Sequence, residues 1–143
     1  MNAIYFDMDG TIADFYGVAN WLDYLKAEEV KPYAEAKPLV NMNSLAKAIH
    51  KLQAKGYTVN IISWGAKNSS AEYLKKVETA KKKWLNKHLK SVKFDNIIVT
   101  NYGNPKENFG FGILFDDEEN NRKNWKGISY NEKNILENLK KLA

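Results

Sequence analysis

The sequence predicts an α/β protein, a Rossmann-like three-layer sandwich with a mostly parallel sheet and a small helical cap inserted after strand 1. Short apolar runs alternate with segments of helical periodicity along the 143 residues. This alternation favours right-handed crossovers and a parallel sheet with helices on both faces. Acidic and hydroxyl side chains directly follow several of the apolar runs. Those positions are the carboxyl ends of the strands, where open parallel sheets bind their ligands.

The bulk properties favour one folded domain over residues 1–143. A hydrophobic content of 44% is ordinary for a globular protein. The chain has no cysteine, which excludes disulfides and thiolate metal sites. No apolar run reaches the roughly 20 residues of a membrane span, and Met1-Asn2 leads straight into a strand instead of a signal peptide. We therefore expect a cytoplasmic protein with no membrane contact.

The first apolar run, from Ala3 to Phe6, is expected to be a short buried strand. It ends in Asp7-Met8-Asp9-Gly10-Thr11, where two acids stand two residues apart. Alternate residues of a strand share one side, so the two carboxylates are placed to meet the same ligand.

Residues 14–43 are assigned to the cap. A short helix is expected over 20–29, and Pro32 and Pro38 are expected to break regular structure. Two roles remain open for the aromatic residues of this segment, a small satellite core or a lid over Asp7. These residues are Phe15, Tyr16, Trp21, Tyr24 and Tyr33.

The remaining helices follow from apolar spacing. They are predicted over 44–55, from Ser69 or Ser70 to about Leu89, and over 131–142. Asn43 or Ser44 is the expected cap of the first of these, and Gly56 its end. His50 is expected on the surface and His88 in a structural position.

Four further strands are predicted, at 57–62, 96–100, 112–115 and 127–130. Ser63-Trp64-Gly65 follows the first of them, and Asp116-Asp117 follows the third. Since parallel strands end at the same edge of a sheet, these residues are expected to converge with Asp7 and Asp9.

The converging residue types suit phosphoryl transfer. Several carboxylates in one place repel each other and need a cation, and oxygen ligands without histidine or cysteine favour Mg²⁺. A serine hydroxyl and a lysine such as Lys106 are good partners for phosphate oxygens. One aspartate can attack as the nucleophile, while a second protonates the leaving oxygen and later activates water.

The motifs resemble those of the haloacid dehalogenase (HAD) superfamily of phosphatases. Asp7-Met8-Asp9-Gly10-Thr11 is similar to its motif I, and Ser63, Lys106 and Asp116-Asp117 are similar to motifs II, III and IV. The resemblance implies that Asp7 is the nucleophile and Asp9 the general acid/base. It also implies a Mg²⁺ site made by Asp7, the backbone carbonyl of Asp9, and Asp117 with Asp116, of which either can be the direct ligand.

By the same resemblance, Ser63 and Lys106 hold the phosphoryl oxygens, and we include Trp64 and Gly65 in this phosphate-binding group. The chain looks closest to the 5′(3′)-deoxyribonucleotidase branch, whose features include the Ala13-Asp14-Phe15 continuation of motif I. That branch implies a small phosphorylated substrate, first of all a nucleotide. The cap at 14–43 is shorter than in that branch, and Trp64 stands where a smaller residue is usual, either to stack on a base or to pack in the rim.

The net charge of +5 and the isoelectric point of about 9.2 keep a second function class open. Eight lysines lie between Lys75 and Lys93, and a solvated helix face is the favoured interpretation. The alternatives are a polynucleotide-end phosphatase, or a nucleic-acid- or protein-binding module with little catalysis.

Overall fold

The computed structural model describes residues 2–143 and confirms the predicted fold class. The central sheet has five parallel strands in the order β5-β4-β1-β6-β7. Its strands are β1 (Ala3–Phe6), β4 (Thr58–Trp64), β5 (Asn96–Thr100), β6 (Ile113–Phe115) and β7 (Ile128–Tyr130). A separate antiparallel pair, β2 (Ala13–Asp14) with β3 (Lys37–Pro38), was not predicted.

The strand order places a switch point at β1. From β1 the chain builds outward to β4 and β5, and it then returns to the other side of β1 for β6 and β7. Ile4 is therefore paired with Val59 on one side and Ile113 on the other. The carboxyl ends of β4, β1 and β6 lie side by side, which is the place where a ligand-binding crevice is expected.

Six α-helices accompany the strands in the described part of the chain. They are α1 (Trp21–Lys26), α2 (Lys31–Glu35), α3 (Met42–Ala54), α4 (Ala71–His88), α5 (Glu119–Asn124) and α6 (Ile135–Leu142). Ser70 caps α4 as predicted, but the cap of α3 is Asn41, whose side chain accepts from the Ser44 N–H at 3.0 Å. Between residues 2 and 143, no helix is both long and apolar enough to cross a membrane.

Two helix boundaries differ from the prediction for the same reason. Asn20 and Asn134 both have left-handed backbone conformations, with φ of 62° and 57°. A left-handed residue cannot continue a right-handed helix. Consequently α1 begins only at Trp21, and α6 begins at Ile135 and not at residue 131.

The main core lies between one face of the sheet and the helices α3, α4 and α6. Its centre includes Ile4, Phe6, Leu45, Ile49, Ile61, Leu85 and Leu139. The other face is covered more thinly, by Trp125 at the end of α5, which packs with Ile62 and Leu114. The alternation of Ile61 and Ile62 between the two cores follows from the two-residue repeat of a strand.

The segment predicted as a cap docks onto α4 beside the strand ends. Tyr73 Oη donates to the Glu29 carbonyl at 2.6 Å, and Trp84 Nε1 donates to the Ala36 carbonyl at 2.8 Å. A second hydrophobic cluster joins the two elements and includes Phe15, Tyr33, Tyr73, Val77 and Ala80. The segment is thereby held against the same edge of the sheet that carries the predicted site.

Candidate active site

The predicted site residues converge at the carboxyl ends of β1, β4 and β6. Seven of the eight line one cavity of about 240 Å³: Asp7, Asp9, Trp64, Gly65, Lys106, Asp116 and Asp117. Ser63, the eighth, is fully buried and is linked to Asp9 through a lysine described below. The strand order therefore brings together residues that are up to 110 positions apart in the chain.

Lys106 lies between two acids. Its ammonium is 2.9 Å from Asp7 Oδ1 and 2.7 Å from Asp116 Oδ2, and its side chain is 2% exposed. Burial alone lowers the pKa of Lys106, but the charges of Asp7 and Asp116 outweigh it and raise the pKa above its usual value. Because an ammonium has three N–H donors, Lys106 keeps one for a ligand.

Thr11 joins two carboxylates that would otherwise repel each other. Its hydroxyl is 2.9 Å from Asp7 Oδ2 and 3.2 Å from Asp117 Oδ1, and it accepts the Asp117 N–H at 3.1 Å. Gly10 makes the close approach of Asp117 possible. Its φ is +82°, and a Cβ on it would lie 2.3 Å from Asp117 Oδ2.

Asp7, Asp116 and Asp117 form a set of oxygens that fits a divalent cation. One carboxylate oxygen from each lies within 4.8 Å of the others. The four aspartates of the site and the two buried lysines paired with them have an excess of two formal negative charges. Burial, followed by the interaction with Asp7, raises the pKa of Asp117 to about 8, as expected for an acid that lacks a compensating positive charge. Hard oxygen donors with this surplus charge suit Mg²⁺.

Asp116 and Asp117 differ in the number of hydrogen bonds that their carboxylates already accept. Asp116 is fully buried and accepts from Lys106, from the Glu118 N–H at 2.9 Å and from Asn121 Nδ2 at 3.2 Å. Among the side-chain donors of residues 2–143, only the Thr11 hydroxyl lies within hydrogen-bond distance of the Asp117 carboxylate, and its single proton is shared with the closer Asp7 Oδ2. Asp117 is therefore the better placed of the two to hold a cation directly.

The Asp9 side chain is not part of the carboxylate set of Asp7, Asp116 and Asp117 and pairs with a second lysine. Lys81 on α4 donates to Asp9 Oδ2 at 3.0 Å, to Ser63 Oγ, and to the Trp64 carbonyl at 2.7 Å. Lys81 was not predicted from the sequence, because it lies among the eight lysines interpreted as a solvated face. Seven of those are exposed, but Lys81 is 1% exposed. Its spacing could have indicated that it is buried, because Lys81 lies four residues after Val77 and four before Leu85 on the apolar stripe of α4.

Asp7 and Asp9 have pKa values that are shifted in opposite directions. Burial alone raises the pKa of Asp7, but the neighbouring Lys106 and other hydrogen-bonding groups reverse this and lower it. Burial also raises the pKa of Asp9, and Lys81 offsets that effect only in part. Asp7 is thus held as a carboxylate, whereas Asp9 holds its proton more readily than an ordinary aspartate.

Aromatic rings form the walls of the cavity above the acids. The cap contributes Phe15, Tyr16, Trp21 and Tyr33, and the opposite wall has Trp64 and Tyr102 with ring centroids 5.1 Å apart. Of the two roles left open for the cap aromatics, Phe15 and Tyr33 fill both, since they are buried in the second cluster and also line the cavity. Tyr24 lies outside the cavity lining.

Trp64 and Gly65 line the cavity, but the N–H groups they present are engaged within the protein. Trp64 Nε1 donates to the Asn104 carbonyl at 2.7 Å, and the Gly65 N–H donates to the Thr100 carbonyl at 2.7 Å. The Trp64 ring lies 5.3 Å from Lys106 Nζ, close enough for a cation–π contact. Trp64 is therefore positioned as a wall of the cavity and a neighbour of the lysine.

No protein-family model matches the chain, and no curated protein matches it significantly. The resemblance to HAD phosphatases consequently depends on the motifs alone.

Proposed function

We propose that the protein is a Mg²⁺-dependent phosphomonoester hydrolase that acts through an aspartyl-phosphate on Asp7. The observation that carries the proposal is the difference between the environments of Asp7 and Asp9. Each acid is paired with its own buried lysine, and their pKa values are shifted in opposite directions. Two acids with opposed pKa shifts in one cavity are the arrangement that nucleophilic attack and proton transfer require.

In the first half-reaction, a carboxylate oxygen of Asp7 attacks phosphorus. The new bond to phosphorus forms as the bond to the leaving oxygen breaks, and Asp9 gives that oxygen its proton. The raised pKa of Asp9 supports this role, because the acid has to carry its proton into the reaction.

In the second half-reaction, the Asp9 carboxylate takes a proton from water and that water attacks phosphorus. The bond from phosphorus to Asp7 breaks, which releases inorganic phosphate and restores the Asp7 carboxylate. Lys106 holds a phosphoryl oxygen with its remaining N–H while it keeps its contacts with Asp7 and Asp116. Ser63 supplies a hydroxyl at the end of β4 for a second oxygen.

Asp7 and Asp117 would hold Mg²⁺, with Asp116 supporting them through Lys106 and Asn121. The ion would neutralise the charge on the phosphoryl oxygens, which otherwise meet a site of the same sign. Without it, a dianionic phosphate would approach an excess of two negative charges.

The cavity favours a small phosphomonoester with a flat leaving group. Its walls are aromatic on both sides, and its volume of about 240 Å³ is below the usual range for ligand pockets. A nucleoside monophosphate has a flat leaving group, because its base can stack on the rings of Trp64 or Tyr102. We therefore propose nucleotides as the first substrates to be tested.

A polynucleotide end is the second candidate, and one observation favours it. Lysines 75, 76, 83 and 87 of α4 surround a groove of about 470 Å³ between α4 and α2. This groove lies on α4, the helix that also carries Lys81, and its four lysines supply the positive charge that a phosphate chain needs. Salt-dependent affinity for an oligonucleotide without phosphate release would favour a binding module over either phosphatase.

The test is phosphate release from a substrate panel, with and without Mg²⁺. The panel contains nucleoside 5′- and 3′-monophosphates, sugar phosphates and 5′-phosphorylated oligonucleotides. We expect Mg²⁺-dependent release, fastest from a nucleoside monophosphate. Lack of release from every member with Mg²⁺ present would contradict the proposal.

A further inference from the structure

We propose that Lys81 is a positioning residue that orients Asp9 and Ser63 and does not itself contact the phosphoryl group. The inference rests on the proposed function and goes further, because it gives a role to a residue that no motif includes. A second lysine beside a phosphate site is most simply taken as a further phosphate ligand. The arrangement of its hydrogen bonds leads to a different role.

Every N–H of Lys81 is already used. An ammonium has three donors and no acceptor. The three acceptors around Lys81 Nζ are Asp9 Oδ2 at 3.0 Å, Ser63 Oγ, and the Trp64 carbonyl at 2.7 Å. The side chain is 1% exposed, and the Tyr33 ring from the cap lies 5.0 Å from Nζ. A phosphoryl oxygen could be bound only if one of these contacts were broken.

The contact with Ser63 fixes the direction of that hydroxyl. Because Lys81 can only donate, Ser63 Oγ has to accept from it, and the Ser63 proton remains for another partner. Within residues 2–143, the side-chain hydrogen bond of Ser63 is the one that it accepts from Lys81, and its hydroxyl donates to no protein group. A phosphoryl oxygen can only accept a hydrogen bond. Lys81 therefore leaves the Ser63 hydroxyl as a donor, which is the role that binding a phosphoryl oxygen requires.

The contact with Asp9 determines which of its two carboxylate oxygens is free for proton transfer. Lys81 occupies Oδ2, and this leaves Oδ1 as the oxygen that exchanges a proton with the leaving group and with water. The Asp9 side chain is 18% exposed, so one side of it stays open to the cavity. The third contact, with the Trp64 carbonyl, ties both residues to the end of β4.

Lys81→Met tests this role, since methionine keeps the length of the side chain and removes all three donors. We expect kcat for an alkyl phosphate to fall about 100-fold, and kcat for p-nitrophenyl phosphate to fall about tenfold or less, because a good leaving group needs little proton transfer. In an Asp9→Asn background the same substitution should cost about tenfold or less for either substrate, because only the orientation of Ser63 is then left to lose. Lys82→Met, one residue on and exposed, is the control with the same change of charge and is expected to keep wild-type rates.

Chemical rescue separates the ammonium from a general packing effect. The chain has no cysteine, so Lys81→Cys has a single thiol. Its thiolate displaces bromide from 2-bromoethylamine in denaturant and gives a lysine analogue with sulfur in place of one methylene. After refolding, the alkylated protein should regain most of the lost kcat, whereas identically treated Lys82→Cys should be unchanged by alkylation.

Equal losses for both substrates, or additivity with Asp9→Asn, would overturn the role of Lys81 while leaving the proposed function intact. An inactive wild type would instead contradict the proposed function, and the role of Lys81 with it. If Lys81→Met fails to fold, a crystal structure of the wild type with inorganic phosphate decides. We expect Lys81 Nζ to keep its contacts with Asp9 and Ser63, and a direct hydrogen bond from Nζ to phosphate would refute the proposal.

Discussion

The two halves of the active site differ in their charge balance. The acid-rich half contains Asp7, Asp116, Asp117 and one ammonium, that of Lys106. The balanced half contains Asp9, Ser63 and Lys81, with one negative and one positive group. The acid-rich half has surplus negative charge that a cation can neutralise, whereas the balanced half has its donors committed to orienting an acid and a hydroxyl. In the proposed function, this difference in charge balance separates a metal and nucleophile site from a proton-transfer site within one cavity.

The largest expected effect is in the acid-rich half. Asp7→Asn removes the attacking carboxylate, and we expect turnover of every phosphomonoester with Mg²⁺ to fall by more than about 10⁴-fold. Steady-state phosphate release measures this. Asp23→Asn, at an exposed acid of α1, is the matched control and should retain full activity. Appreciable turnover by Asp7→Asn would show that the nucleophile is a different residue.

The next effect is in the balanced half and depends on the substrate. Asp9→Asn removes the proton donor, and we expect kcat for an alkyl phosphate to fall by about 10²- to 10⁴-fold. For p-nitrophenyl phosphate the first half-reaction should continue, so the phosphorylated enzyme should accumulate. A plot of rate against leaving-group pKa tests this, and equal slopes for wild type and variant would rule out Asp9 as the acid.

A third difference concerns stability and pH. The folded protein raises the pKa of Asp117 from 3.8 to about 8, so the folded state binds that proton more tightly than the unfolded state. The resulting stabilisation is present below pH 4 and is lost as the pH rises towards 8. In EDTA, we expect the Tm of wild type minus that of Asp117→Asn to fall by several degrees between pH 5 and pH 9. Mg²⁺ at pH 9 should raise the Tm of wild type more than that of the variant, and a Tm difference independent of pH would contradict the charge surplus.

The smallest effect lies outside both halves. Tyr102 is a half-exposed ring on the cavity wall, and base stacking is worth about 1–3 kcal/mol. Tyr102→Leu should raise KM for a nucleoside monophosphate about tenfold, while KM for glycerol phosphate should change little. Tyr102→Phe keeps the ring and is the control. An equal rise in KM for both substrates would show that Tyr102 acts on the phosphate site and not on the leaving group.

The frame of the site could be predicted from the sequence because its signals are local. Apolar runs that end in Asp7 and Asp116 mark where β1 and β6 stop, and parallel strands stop at a common edge. The strand predicted at 57–62 is longer than expected, since β4 continues through Ser63 to Trp64. Ser70, the N-cap residue of α4, is also recognised from its local sequence. These elements depend on residues within a few positions of each other, which is the range over which periodicity and capping operate.

The features that were not predicted depend on contacts between residues far apart in the chain, or on where in a helix a residue lies. Lys81 is buried because Asp9 lies opposite it, 72 residues away, and no local pattern includes that acid. The helix α2 was missed because Pro32 was interpreted as a breaker, although proline is well tolerated in the first turn of a helix. The bridge made by Thr11 requires the approach of Asp117, which is set by tertiary structure.

The most direct test of the central claim is to trap the phosphorylated enzyme. Asp9→Asn would be mixed with p-nitrophenyl phosphate and Mg²⁺, quenched rapidly in acid and digested for mass spectrometry. We expect one phosphoryl group on the peptide that contains Asp7, formed at the rate of p-nitrophenol release and absent in the Asp7→Asn/Asp9→Asn protein. Release of p-nitrophenol without phosphorylation of the protein, or phosphorylation at a different residue, would contradict the account.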